Sequence, residues 1–215
     1  MSPIYLLSDK VYEGAKNLPT IMIAFLEKKV VLEGVEALVF TSKNAVLAIE
    51  RLDTRWKTFP CYAIGVGTAK MIESLGGEVV YQAKSSYGDD FAQEIKSALA
   101  AKVVLFLRAK EVTSALNTIL KEAGVLLRET IVYETRCEAC AALNKPEKNA
   151  IMIFSSPSTI ECFFRCFDWD ESYQAVVIGE KTASFMPQGI AFDMAAKPSI
   201  TSCIEVATKL SKKSL

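Results

Sequence analysis

The segment FTSKNAVLAIE at residues 40–50 returns, altered but recognisable, as FSSPSTIECFF at 154–164. AIGVGTA (63–69) is answered by VIGEKTA (177–183), and AKSS (83–86) by AKPS (196–199). The register is kept: Gly65 follows Phe40 by 25 residues, and Gly179 follows Phe154 by 25. The third pair sits one residue closer in the second copy. Three matched segments in near-constant register mark a duplication. Each copy predicts a strand, a hydroxyl-rich turn, a helix, a strand, a glycine turn, a helix, a short strand and a last helix.

The first copy runs on into KVVLFLRAKEVTSALNTILKEAGVLLRETIVYET. This predicts a strand at 102–107, a helix near 111–123 ended by Gly124, and a strand at about 128–135. The second copy has no such continuation; it is followed by IEVATKLSKKSL, whose KLSKKS reads as a frayed, solvated tail. The matching piece stands instead at the front, in PIYLLSDKVYEGAKNLPTIMIAF: a strand at 3–7, a short helix-like piece and a strand near 20–25. Interleaved domains are therefore expected, one over 25–135 and the other combining 1–24 with 136–215. Short apolar runs such as ALVF, VVLFL, AIMIF and AVVIG alternate with amphipathic helices. That pattern predicts an α/β fold with parallel sheets covered by helices on both faces.

Handed crossovers place the strand-to-helix turns of such a domain along one edge. The turns here are Ser8–Lys10, Thr41–Asn44, Gly65–Thr68, Arg108–Lys110, Ser155–Ser158 and Gly179–Thr182. A helix start offers unpaired N–H groups and partial positive charge, which suit carboxylate or phosphate. Thr41, Ser42, Ser155 and Ser156 are also ordinary helix caps, but hydroxyl-rich turns recurring at matching places in both copies favour a ligand role. Lys10, Lys43, Arg108, Lys110 and Lys181 lie on or beside these turns, and about half of them are expected to meet ligand, since surface lysine is normally just solvated. Tyr133, in IVYET, ends a strand near the expected crossover, either as a packing residue with a wet hydroxyl or as a proton or hydrogen-bond donor. Asp89-Asp90 reads as a helix start.

Other residue counts exclude whole classes of function. There is no histidine, so the Ser-His-Asp and Cys-His arrangements and histidine metal sites are absent. Lys+Arg and Asp+Glu are both 25, which removes the electrostatic case for nucleic acid or an anionic membrane as partner. Gly65-Val66-Gly67 is followed by Lys70 where a dinucleotide fingerprint has its third glycine, and no Walker-type Gly-Lys-Ser/Thr follows. No apolar run reaches membrane-spanning length, and MSPIYLLSDK is no signal peptide, so a soluble cytoplasmic chain is expected. Cys137-x-x-Cys140 with Cys162 and Cys166 has the makings of a zinc site. Cys162 and Cys166, however, fall in the apolar helical pattern TIECFFRCFDW, so reduced buried thiols are the expected state of the six cysteines.

Taken in order and spacing, VFTSKNAV, AIGVGTA, LFLRA, TIVYET, IFSSPSTIECF and VIGEKTA resemble uroporphyrinogen-III synthase over nearly the whole chain. The resemblance implies two flavodoxin-like parallel-sheet domains, interleaved in sequence and joined by two extended linkers, with a cleft between them. It implies closure of the linear tetrapyrrole hydroxymethylbilane with inversion of ring D and loss of water, using no metal and no organic cofactor. It implies a monomer in the cytoplasm that makes transient contact with the preceding pathway enzyme. Carried over by motif, the substrate contacts are Thr41, Ser42, Gly65, Thr68, Ser155, Ser156, Pro157, Ser158, Gly179 and Thr182, with Tyr133 helping the hydroxyl leave. The family often begins with a strand ending in Thr-Arg-Pro, whereas this chain has Leu7-Ser8-Asp9-Lys10, where Lys10 can replace the missing positive charge. Glu180 stands where the first copy has Val66, so the paired turns are unequal. The rival reading is a non-catalytic two-lobed α/β module that binds a small polyanion.

Overall fold

A run such as Ala37–Phe40, in which four consecutive residues are buried, has no face to give to solvent. It must be a strand covered on both sides, and that requirement shapes the whole chain. The computed structural model describes residues 1–85, 87–112 and 114–213. In chain order the elements are β1 (Ile4–Leu7), β2 (Lys16–Leu18), β3 (Ile21–Phe25), β4 (Ala37–Phe40), α1 (Lys43–Leu52), β5 (Pro60–Ala63) and α2 (Gly65–Ser74). There follow β6 (Glu78–Gln82), α3 (Gly88–Leu99), β7 (Val103–Ala109), α4 (Leu116–Glu122), β8 (Leu126–Cys137) and β9 (Ile151–Phe154). The rest is α5 (Pro157–Cys166), β10 (Gln174–Val177), α6 (Glu180–Ala183), β11 (Phe192–Met194) and α7 (Ile200–Lys213).

The strands form two sheets, ordered β11-β10-β9-β1-β2 and β3-β8-β7-β4-β5-β6. The pairs from β11 to β2 and from β8 to β6 are parallel. The duplication is visible in these orders, since β9-β10-β11 runs outward as β4-β5-β6 does. In each sheet the next strand is then laid on the opposite side of the first: β7 beside β4, and β1 beside β9. The chain divides into two compact units, residues 1–22 with 135–215, and residues 23–134.

Side chains alternate between the sheet faces as a two-residue period requires. In the unit of 23–134, Leu38, Phe40, Leu105 and Leu107 pack with Ala45, Ile49 and Ile72 of α1 and α2. Val39, Val104 and Phe106 face the other way, onto Phe91 and Ile95 of α3 and Leu116 and Leu120 of α4. In the other unit Met152 and Phe154 meet Ile160 and Phe163 of α5, while Ile151 and Ile153 meet Cys203 and Ala207 of α7. Among the described residues no helix is long and apolar enough to cross a membrane.

Four local expectations are corrected. No helix forms between β1 and β2: Lys16–Leu18 instead pairs with Tyr5–Leu7, and the next strand, Ile21–Phe25, joins the other sheet. The helix expected from 111 begins at Leu116, with the Asp89 carboxylate accepting from the Ala115 N–H just before it at 2.6 Å; Thr113 lies outside the described residues. The segment read as a frayed tail is helical to Lys213, with Ser211 buried and its hydroxyl donating to the Ser2 carbonyl at 2.9 Å; Ser214 and Leu215 lie outside the described residues. Four of the six cysteines are paired, Cys137 with Cys162 and Cys140 with Cys166, because the chain leaving β8 lies against α5. Cys61 and Cys203 are buried free thiols.

Phe163 is the hub of an aromatic cluster, with Phe154, Phe164, Phe167 and Trp169 ring centroids 5.2–6.2 Å away. Phe163→Ala is therefore expected to destabilise the protein by about 3–5 kcal/mol, measured by urea denaturation.

Candidate active site

A regular strand sends successive side chains to opposite faces, yet Val132 and Tyr133 both pack on the α1/α2 side of the sheet. The register between β7 and β8 slips at this point: Arg108 faces Ile131 and Ala109 faces Tyr133. The bulge re-aims Tyr133, as bulges beside functional sites do. Its phenol is hydrogen-bonded to the Ser42 hydroxyl. Ser42 is the N-cap of α1 and accepts from the Asn44 N–H at 3.1 Å. The Ser42 hydroxyl keeps its proton and a second lone pair for Tyr133, and its lowering pull on the Tyr133 pKa is that of a donor to the phenol oxygen. Burial pushes the Tyr133 pKa above the ordinary tyrosine value of 10.0, against a smaller opposite pull from Ser42. Tyr133 is thus a neutral donor at neutral pH.

A cavity of about 220 Å³ opens beside it, lined by Thr41, Ile64, Gly88, Ala109, Glu111, Val112, Ser114 and Tyr133. These residues follow or end the strands β4 to β8, so the cavity lies on the C-terminal edge of the sheet. Its centre is where β4 and β7 part the chain in opposite directions, the place where open α/β sheets bind ligands. Gly88 is there for close approach: a Cβ on it would lie 2.5 Å from the Ser114 hydroxyl. A larger cavity of about 470 Å³, lined among others by Met1, Ile4, Lys16 and Lys212, lies where β1 and β2 begin. That edge carries none of the strand-to-helix turns, so volume alone does not mark the site.

The remaining candidate residues fall into three groups. Thr41, Ser42, Lys43, Gly65 and Thr68 lie at the ends of β4 and β5. Gly65 adopts a left-handed backbone (φ +67°) to open α2, which has no side-chain cap and so keeps orphan N–H groups on this edge. Thr68 is buried, and the Lys43 methylenes pass close to Gly67, 3.7 Å from where a Cβ would stand. Ser155, Ser156, Pro157, Ser158, Gly179, Lys181 and Thr182 lie at the ends of β9 and β10 in the other unit. There the Ser155 hydroxyl donates to the Leu7 carbonyl at 2.8 Å, across that sheet's own reversal point. Ser156 caps α5 in a capping box with Thr159, and Pro157 occupies the first turn. Thr182 is buried and Lys181 exposed.

The third group is the cations at the ends of β7 and β1. Arg108 is committed to Glu129 at 2.8 Å and to the carbonyls of Ala109 and Lys110 at 2.8 and 3.1 Å. Burial pushes the Glu129 carboxyl up, but hydrogen bonds from Lys121 and Arg108 outweigh it and hold the group below its usual range. Lys110 lies 3.2 Å from Glu134. Lys10 is exposed, and its N–H donates to the Ser8 hydroxyl at 3.1 Å. The cavity beside Tyr133 presents the hydroxyls of Thr41, Ser114 and Tyr133 together with the Glu111 carboxylate and the apolar Ile64, Ala109 and Val112. Sequence reasoning missed Ile64, Gly88, Glu111, Val112 and Ser114. The Ser114 hydroxyl just before an apolar helical run was the available signal that the helix starts after it.

The chain matches the family model described as uroporphyrinogen-III synthase HemD over residues 15–205. The chain belongs to the uroporphyrinogen-III synthase family. A crystal structure of uroporphyrinogen-III synthetase from Helicobacter pylori 26695 is 32% identical, with a TM-score of 0.86 over 98% of this chain and 100% of that one. A mutant uroporphyrinogen III synthase from the extremely thermophilic bacterium Thermus thermophilus is 10% identical, with a TM-score of 0.56 over 100% of both chains, and shares the fold. No curated protein sequence matches.

Ser42→Ala removes both the cap of α1 and the partner of Tyr133. It is expected to cost about 1 kcal/mol of stability, read by urea denaturation. It should also move Tyr133 ionisation further upward, read as phenolate absorbance in an alkaline titration.

Proposed function

We propose that this chain is a uroporphyrinogen-III synthase, closing hydroxymethylbilane to uroporphyrinogen III with inversion of ring D and loss of water. The observation that carries the reading is the family match over residues 15–205, joined to 32% identity along nearly the full length of the Helicobacter pylori enzyme. The substrate is a flexible polycarboxylate that also cyclises unaided, to the uninverted isomer. Loss of its hydroxyl gives an electron-rich cationic azafulvene. Ring D then attacks through its substituted carbon, and the resulting spirocyclic pyrrolenine opens and recloses inverted.

The protein's task in that sequence is to choose which carbon of ring D meets the electrophile, and orientation of this kind contributes as much as about 7–11 kcal/mol in favourable cases. The proposed contacts to the carboxylates are Thr41, Ser42, Gly65, Thr68, Ser155, Ser156, Ser158, Gly179 and Thr182, with Pro157 shaping its turn and the Ser155 hydroxyl already held by the Leu7 carbonyl. Lys10, Lys43 and Lys181 supply charge; Arg108 acts by bracing the loop it holds. Tyr133 donates to the departing hydroxyl, a role supported by its neutral phenol and its place on the cavity wall. No metal or organic cofactor enters this scheme. The reading extends to a cytoplasmic monomer that receives its labile substrate in transient contact with the enzyme producing it.

The test is to incubate the protein with freshly made hydroxymethylbilane, oxidise the products and separate the porphyrin isomers. Type III porphyrin is the expected product; type I alone, at the spontaneous rate, overturns the reading. Tyr133→Phe should lower turnover roughly 10- to 100-fold, at the modest end for general acid catalysis, with folding intact by circular dichroism. Because the protonated phenol is the active form and its pKa is raised, the activity it contributes should be intact at neutral pH and be lost only as the pH rises beyond the ordinary tyrosine range. Tyr133→Phe should abolish that alkaline limb.

A further inference from the structure

The four bridged cysteines form a cluster that the ring closure does not use. Cys137 ends β8 and Cys140 begins a short 3₁₀ turn, Cys140–Ala142. Cys162 and Cys166 lie one turn apart on α5, so their side chains share a face, with Cβ atoms about 5–6 Å apart. The pairing is parallel, each cysteine of Cys137-x-x-Cys140 meeting one of the helix, with Cα separations of 5.1 and 5.0 Å. The two bridges therefore stand one helical turn apart against the same face of α5, which brings all four cysteines to one stretch of that helix. As bridged, the sulfurs are committed to one another, and no metal-holding cluster exists among the described residues.

Released from each other, they constitute a different site. Spacings of Cys-x-x-Cys and Cys-x-x-x-Cys are those of structural zinc sites, in which four thiolates surround the ion at about 2.3 Å. We propose that Cys137, Cys140, Cys162 and Cys166 form one tetrathiolate zinc site in the reduced protein, and that the two disulfides are its oxidised, metal-free state.

The interconversion balances. Two molecules of a dithiol reductant take up the two bridges, giving four cysteine thiols and two oxidised dithiols. Four thiols then bind one Zn²⁺ and release four protons. In reverse, two molecules of a small disulfide oxidant re-form both bridges, release the Zn²⁺ and leave as four thiolates. Exposure is graded across the cluster: Cys162 is buried and Cys140 is exposed, so reductant and ion enter from the Cys140 side. The other two thiols do not compete. Burial pushes Cys61 up to about 12, with Glu78 adding to it, and Cys203 up to about 11. Either state ties the end of β8 to α5, so the fold is held by sulfur in one and by the ion in the other.

The experiment needs no tetrapyrrole, so its outcome is separate from that of the cyclisation assay. The full chain is reduced anaerobically with a phosphine, freed of reductant and titrated with Co²⁺ alone. One equivalent is expected, with the intense visible bands of a tetrahedral tetrathiolate, bleached when Zn²⁺ is added. A small disulfide oxidant should then release one Zn²⁺ per chain, read with a chromogenic chelator. Cys140→Ser and Cys166→Ser should each lose the tetrathiolate spectrum, and Cys61→Ser should keep it. Absence of the bands in the reduced wild-type protein overturns the proposal whatever the variants do. So does an unchanged spectrum in Cys140→Ser, or thiols that stay bridged under the phosphine.

Discussion

Because the central strands of each sheet are buried on both faces and pair in parallel, their connections must cross over a face of the sheet and return, which no tight turn can do. Parallel strands all end on the same edge, and that edge collects the strand-to-helix turns. Where the chain reverses its direction of travel across the sheet, two neighbouring strands send their crossovers to opposite faces and a recess is left between them. In the unit of 23–134 the reversal falls between β4 and β7, and the Tyr133 cavity lies there. In the other unit it falls between β9 and β1, where Ser155 reaches the Leu7 carbonyl. The duplicated sequence thus produces the same kind of edge twice.

What lines the edge beside Tyr133 is as telling as where it lies. Arg108 is held by Glu129 and two carbonyls, which makes it a brace for its loop. The hydrogen-bond donors that face the cavity are the hydroxyls of Thr41, Ser114 and Tyr133, and close by is the start of α2, which has no side-chain cap. Such donors bind carboxylates with direction and without strong net charge. That suits a substrate whose carboxylates must be located while a cationic intermediate forms among them. A neutral tyrosine, kept so by burial, completes a set of donors that needs no histidine.

The fold was legible because its signals are local and repeated. Buried apolar runs fixed the strands, Ser42 and Ser156 fixed the starts of α1 and α5, and the two copies confirmed each other. What was not legible depends on partners remote in sequence. Ile21–Phe25 reads as a strand from its residues, but which sheet it joins is decided by β8, more than a hundred residues on. The residue before α4 is held by a carboxylate on α3. The bulge that turns Tyr133 inward leaves no mark in IVYET, since it is a mismatch with β7. The cysteine pairing likewise follows from the packing of the chain after β8 against α5. Among the candidate contacts, hydroxyls at strand ends were visible from composition, whereas Glu111 and Ser114 were hidden inside a helix that starts later than its pattern.

The central proposal is that the C-terminal edge of each sheet, with its amide and hydroxyl donors, contacts the polycarboxylate. Amide chemical shifts of the isotope-labelled protein, followed on adding the stable oxidised product uroporphyrin III, test it directly. The account predicts the largest changes at Thr41–Asn44, Gly65–Thr68, Ser155–Ser158 and Gly179–Thr182. Changes confined to Met1, Gly14–Lys16 and Thr208–Lys212, around the larger cavity where β1 and β2 begin, would contradict it.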